Sequence, residues 1–278
     1  MMDLGIVQTN TGRNASENII ELEHLLVGLE RCDLVVTPEC TNVMGFRSGV
    51  DRLPVLEDCI VTNYLRDWAE AHETAIVVGS ALLKDETTGD AVNRQILIDS
   101  SGSIAASYDK IHMFDVDLPN GERFEESKRF HAGNKAVLSA INNVRIGHSI
   151  CFDLRFPSLY QNLSEAGAEI LLVPAAFTAL TGRAHWEPLL RARAIENGAY
   201  VIAPGQCGAF KHSDDTTRHC WGHSMVISPW GEILCEFGGE PKSARMVIDI
   251  ASVHEARKRI PSLNARRDFE KLGKSLEK

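Results

Sequence analysis

The stretch NVRIGHSICFDLRFPSLYQNLSEAGAEILLVPAA (143–176) reads as strand, helix, strand. NVRIGHSICFD is strand-like. Pro157 opens a helix that runs to Ala166, where a first-turn proline fits because its missing N–H would have no helical partner there. EILLVPAA is a second buried strand. This order implies parallel pairing, with the helix covering one face of the sheet. Cys151 lies at the seam between the first strand and the charged, proline-containing segment after it. A buried cysteine there is either inert filler or a nucleophile presented at a strand end.

The same alternation extends outward. Upstream, LGIVQTN is a first strand, and Asn14 with Glu17 resembles a capping box. Ile19, Leu22, Leu25, Leu26 and Leu29 repeat at helical spacing. DLVVTPE (33–39) is a second buried strand, and Leu56, Ile60, Tyr64, Leu65 and Trp68 mark a second helix. AIVVGSALL (75–83) is a strand, and NRQILIDSSGSIAASYDK (93–110) is a hairpin turning at Ser101-Gly102. Downstream, residues 184–197 form a helix closed by Gly198. YVIAPGQC, HSMVISPWGEILCEF and ARMVIDI complete the strands, with a hairpin at Pro229-Trp230-Gly231. No linker interrupts the pattern. The expectation is a single α/β domain over residues 1–265, layered on more than one mixed sheet, with a tail at 266–278.

Composition narrows the function. The 278 residues are 44% apolar and 24% charged, with a net charge of −9, an ordinary globular balance. That charge repels phosphates, and no basic stripe offsets it, so nucleic acid is not an expected partner. The locally basic segment 257–278 reads as a solvated helix and terminus. MMDLGIVQTN lacks the features of a signal peptide. The longest apolar run, 168–180, falls short of the ~20 residues that span a bilayer and is broken by Pro174. A soluble, cytoplasmic protein is expected. Seven cysteines (32, 40, 59, 151, 207, 220 and 235) form an odd set without CxxC spacing, which argues against a disulfide scaffold or a cysteine-rich zinc site.

Three ionisable groups fall at strand ends: Glu39 after LVVTP, Lys110 after SIAASYD and Cys151 after RIGHSI. Ligands in α/β architectures gather at the carboxyl ends of strands. A free thiol has a pKa of about 8.5 and needs a base to become a nucleophile at neutral pH. A carboxylate in an apolar pocket is such a base. An ammonium can hold an oxyanion, with the N–H of Phe152 as a second donor. Together the three suit acyl transfer from an amide or nitrile. Taken singly, each has a plainer reading: a surface glutamate, a solvated lysine beside Asp109, and a core cysteine.

The ordered blocks TPEC (37–40), YDKIHMFDVDLP (108–119), FEES (124–127) and ICFDLRFP (150–157) resemble the nitrilase superfamily of carbon–nitrogen hydrolases. PAAFTALTGRAHWE (174–187), RARAIENGAYV (191–201) and GHSMVISPWGEI (222–233) extend the match. The resemblance implies a four-layer α-β-β-α sandwich that pairs into a homodimer or a higher even oligomer. It assigns the catalytic glutamate, lysine and cysteine to Glu39, Lys110 and Cys151, and a second, orienting glutamate to Glu126. It implies no metal and no cofactor. The implied chemistry is hydrolysis of a terminal carboxamide through a cysteine thioester, with release of ammonia.

Within the superfamily the chain looks most like the branch containing deaminated glutathione amidase and omega-amidase, whose substrates bear a carboxylate or keto acid. Arg155 is the expected cation for that carboxylate, and Phe177 and Thr178 are expected to line the pocket beside Phe152. Two positions depart from the branch pattern. Phe152 stands where relatives commonly have tyrosine, and Arg183 where they usually have proline. Three other readings compete. One is a cysteine–histidine hydrolase using His148 or His223. Another is a zinc hydrolase drawing on His148, Cys151, His219 and Cys220. The last is a catalytically silent binding protein of the same fold.

Overall fold

The computed structural model describes residues 1–45, 52–211, 215–267 and 269–270. The first half runs β1 (Met2–Gln8), α1 (Ala15–Leu26), β2 (Leu34–Val36), α2 (Ile60–Ala71), β3 (Ala75–Lys84), β4 (Ala91–Ile98) and β5 (Ile104–Asp109). A small hairpin follows, β6 (Asp115–Asp117) and β7 (Arg123–Glu125). Then come β8 (Leu138–Ile141), β9 (Val144–Gly147), α3 (Pro157–Glu165), β10 (Ile170–Leu172), α4 (Ala179–Asn197) and β11 (Tyr200–Ala203). A second small hairpin, β12 (Ala209–Lys211) and β13 (Thr217–His219), precedes β14 (Met225–Ile227), β15 (Ile233–Glu236), β16 (Lys242–Ile248) and α5 (Ala251–Arg259).

Two six-stranded mixed sheets carry the fold, ordered β16-β1-β2-β3-β4-β5 and β15-β14-β11-β10-β9-β8. β1, β2 and β3 are parallel, as are β9, β10 and β11, and antiparallel strands flank each trio. Period-2 alternation sorts the side chains onto the two faces of each sheet. Ile6, Leu34, Val36 and Val77 point into a core shared with Ile146, Ile170, Leu172 and Ile202 of the second sheet. Val7, Val35, Ile76 and Val78 face the other way, against Leu22, Leu26, Leu65 and Trp68 of α1 and α2. On the far side, Leu171, Val173 and Val201 meet Leu159, Leu163, Trp186 and Leu190 of α3 and α4. The layers are therefore helix, sheet, sheet, helix.

Several boundaries differ from the sequence reading. α4 begins five residues earlier than expected, at Ala179, capped by Thr178 and running through Pro188. β9 stops at Gly147, and Cys151–Arg155 form a 3-10 turn. The two small hairpins were not anticipated. Arg257 is not simply solvated: it is half-buried, and its guanidinium donates to the carbonyls of Asn197 and Ala168. Of the tail expected at 266–278, residues 268 and 271–278 lie outside the described residues. Among the described residues, no helix is long and apolar enough to cross a membrane.

Candidate active site

Glu39 is set by a close backbone crossing. Between β2 and Glu39 the chain passes over Gly79 of β3, where an added Cβ would lie 1.9 Å from the Thr37 carbonyl oxygen and 2.5 Å from that of Pro38. Only glycine leaves room for this approach. Thr41 donates its hydroxyl to the Pro38 carbonyl (2.7 Å), and the Cys40 N–H donates to Ser80 Oγ (2.8 Å). The Glu39 carboxylate, 3% exposed, accepts from the Ala176 N–H (2.7 Å), from Asn93 Nδ2 (2.9 Å) and from Lys110 Nζ (3.0 Å).

Lys110 leaves the end of β5, 2% exposed. Its ammonium bridges Glu39 and Glu126, reaching the two oxygens of Glu126 at 3.0 and 2.8 Å. Glu126 follows β7 and also accepts from the Phe114 N–H at 2.7 Å, which ties it to the start of the same hairpin. Burial alone would lower the Lys110 pKa, but the charges of Glu126 and then Glu39 outweigh it and hold the group well above its ordinary value. It is an ammonium throughout the neutral range.

Cys151 opens the 3-10 turn with φ +49°, a left-handed conformation uncommon for a residue with a Cβ. Its N–H donates to the Pro174 carbonyl (2.9 Å), and its thiol lies near enough to Glu39 to feel that charge. Burial, followed by the charge of Glu39, pushes the thiol well above its ordinary pKa, with Lys110 pulling the other way. The resting sulfur therefore carries its proton, and an adjacent base is needed to remove it.

These four side chains open on one cleft of about 440 Å³. Phe152, Phe177 and Thr178 line it as well, and Thr178 caps α4 besides. Arg155 is not itself a lining residue, but it packs on two that are. Its guanidinium lies over the rings of Phe177 (5.3 Å) and Phe152 (5.9 Å) and meets His185 Nδ1 at 3.2 Å. The cations that do line the cleft include Arg129 and the buried Arg218, the latter 4.3 Å from the Phe124 ring centroid. Arg183 is exposed and lies outside the lining.

Neither histidine of the cysteine–histidine reading lines this cleft. His148 is fully buried between Gln95 and Ser139, and burial lowers its pKa to about 4. His223 stacks on Trp221 and faces Glu236. The four residues of the zinc reading do not assemble either: among the described residues, no group of three or more His, Cys, Asp or Glu is arranged to hold a metal ion. Asn93, which bridges Glu39 and Glu126, went unnoticed in the sequence. The sequence offered little signal, because Asn93 heads a polar run, Asn93-Arg94-Gln95, within β4.

Comparison with known proteins gives the family. The chain belongs to the carbon–nitrogen hydrolase family, whose model matches residues 4–258. It is 37% identical to the deaminated glutathione amidase of Synechocystis sp. over 265 residues, 94% of this chain and 96% of that protein. It superposes on the Caenorhabditis elegans NitFhit structure with a TM-score of 0.86 at 33% identity, covering 96% of this chain. It spans 65% of that longer fusion of a nitrilase with a fragile histidine triad protein. A superfamily protein of Xanthomonas campestris, solved with an arsenic adduct in the active site, superposes at 0.84 with 27% identity, covering 98% of this chain and 99% of that one.

Proposed function

We propose that this chain is an amidase in which Cys151 is the nucleophile, Glu39 the general base and acid, and Lys110 the oxyanion-binding cation, with Glu126 orienting Lys110. The observation that carries the reading is convergence: Glu39, Lys110, Glu126 and Cys151 line one cleft, and Glu39 and Glu126 both accept from the Lys110 ammonium.

The steps follow from the protonation states. Glu39 takes the thiol proton as the sulfur attacks the carbonyl. Lys110 and the Phe152 N–H hold the negative charge that develops on oxygen. Collapse of the tetrahedral adduct breaks the C–N bond, and Glu39 delivers its proton to the leaving nitrogen. That nitrogen departs as ammonia from a terminal carboxamide, or as an amine from a substituted amide such as those of deaminated glutathione. Glu39 then deprotonates a water that hydrolyses the thioester, restoring the thiol.

The proposed substrate is a small carboxylate-bearing amide, in keeping with the activity named for the Synechocystis relative. Arg218 and Arg129 line the cleft, and Arg155 stands over its Phe152 and Phe177 rings, so all three bring positive charge to it. All seven cysteines are free, which suits a reducing compartment, so the proposed location is the cytoplasm. The proposal extends to a homodimer formed through α4. Ile195 of α4 is 52% exposed beside the β14–β15 turn that carries Trp230, 53% exposed.

Mass-spectrometric trapping tests the mechanism. Incubation with a panel of ω-amides, including deaminated glutathione and α-ketoglutaramate, should add an acyl group to the peptide containing Cys151. No adduct across the panel would leave a silent binding protein as the better account, and a nitrile panel run alongside separates amidase from nitrilase.

A further inference from the structure

We propose that Asp153 is a positioning residue that sets the distance and angle between Lys110 and Cys151. It lies two residues after the cysteine, inside the 3-10 turn, and is fully buried. One carboxylate oxygen accepts from the backbone N–H of His112 (3.0 Å) and meets His112 Nδ1 (2.7 Å). The other accepts from the Tyr108 hydroxyl (2.7 Å) and from the Ile150 N–H (2.9 Å).

Those partners share a pattern. Tyr108 and His112 stand two residues before and two residues after Lys110. Ile150 immediately precedes Cys151. A single carboxylate therefore grips the lysine segment on both sides and the nucleophile turn at its entry. The His112 ring also stacks on Phe156 at 3.5 Å, 7° from parallel, and the Phe156 N–H closes the turn on the Asp153 carbonyl at 2.9 Å. Burial, and then the charge of Asp153, hold the Tyr108 phenol well above its ordinary pKa, so it remains a donor.

The left-handed backbone at Cys151 needs such support. Lys110 comes from the first sheet and Cys151 from the second. Gln95 and Glu39 also bond across the two sheets, to the Ser149 carbonyl and the Ala176 N–H, and Asp153 adds a link that touches the lysine segment and the nucleophile turn themselves. A misplacement of about 1 Å between reacting groups costs on the order of 100-fold in rate.

The inference rests on the reading above, in which Lys110 and Cys151 act on one carbonyl. The test compares wild type, Asp153→Asn and Tyr108→Phe, each scored per folded molecule. Asn keeps the size of the side chain but puts an N–H₂ where two donors converge, and Phe removes one donor while keeping the ring. The readouts are single-turnover acylation by the best amide of the panel, steady-state kcat and KM, and chloroacetamide alkylation mapped to Cys151.

Asp153→Asn is expected to lower kcat about 100-fold with KM little changed, and to slow alkylation of Cys151. Tyr108→Phe is expected to lose about tenfold in kcat, the worth of one charge-assisted hydrogen bond. A folded Asp153→Asn with wild-type kcat and alkylation rate overturns the proposal. If that variant does not fold, an unchanged kcat in Tyr108→Phe overturns it. A wild type that is alkylated at Cys151 but never acylated refutes the amidase reading instead, and the alkylation rates then decide the role of Asp153.

Discussion

In the proposed mechanism Glu39 takes a proton from a thiol that burial and the carboxylate's own charge make reluctant to release it. Glu39→Gln keeps the shape and removes the base. It should lower kcat/KM about 1000-fold and leave the fold intact, as checked by steady-state kinetics beside a melting curve. His148 offers a different test. Its folded pKa, about 4, lies below its ordinary 6.5, so the unfolded chain binds the proton first. Its contribution to stability is complete above pH 6.5 and is lost as pH falls toward 4, on the order of 3 kcal/mol in all. Urea midpoints should fall across that window, and less so in His148→Gln. Glu39, Lys110 and Cys151 were legible because each comes shortly after a strand. Glu126 follows the three-residue β7 of a mostly exposed hairpin, so only the family resemblance pointed to it. For Arg155, nearness in sequence to the nucleophile does not say whether its charged end reaches the cleft itself or only the rings that line it.

Two elements hold the nucleophile turn and the base loop in register. Arg193, on α4 and 5% exposed, donates from Nε (3.1 Å) and Nη2 (2.7 Å) to the Leu154 carbonyl within the Cys151 turn. Arg193→Met leaves that carbonyl without its donor and should cost about 2 kcal/mol, read from urea unfolding. Gly79→Ala drives a methyl into the Thr37 and Pro38 carbonyls. It should destabilise by about 3 kcal/mol and lower the activity of the folded fraction, because the displaced loop carries Glu39. The long strands and the apolar faces of α1 and α2 were readable from periodicity. The hairpins β6–β7 and β12–β13 were not. They lie outside the two large sheets and bury few side chains, so they leave no alternation to detect. The early start of α4 escaped because Thr178 caps it through its side chain, a signal that the apolar run PAAF before it obscured.

At the scale of the whole molecule, strand and helix order implied a layered domain with more than one sheet and the family resemblance implied its four layers, while no partner surface was legible, since exposed apolar residues are common on any protein. Light scattering at micromolar concentration should give twice the 30.7 kDa chain mass, and Ile195→Asp should reduce it to one. Glu39 and Lys110 hang from the first sheet, Cys151 and the Ala176 N–H from the second. In the proposed mechanism neither sheet alone can be active, however well its own strands pair, and recovery of turnover during refolding reports the moment at which both stand face to face.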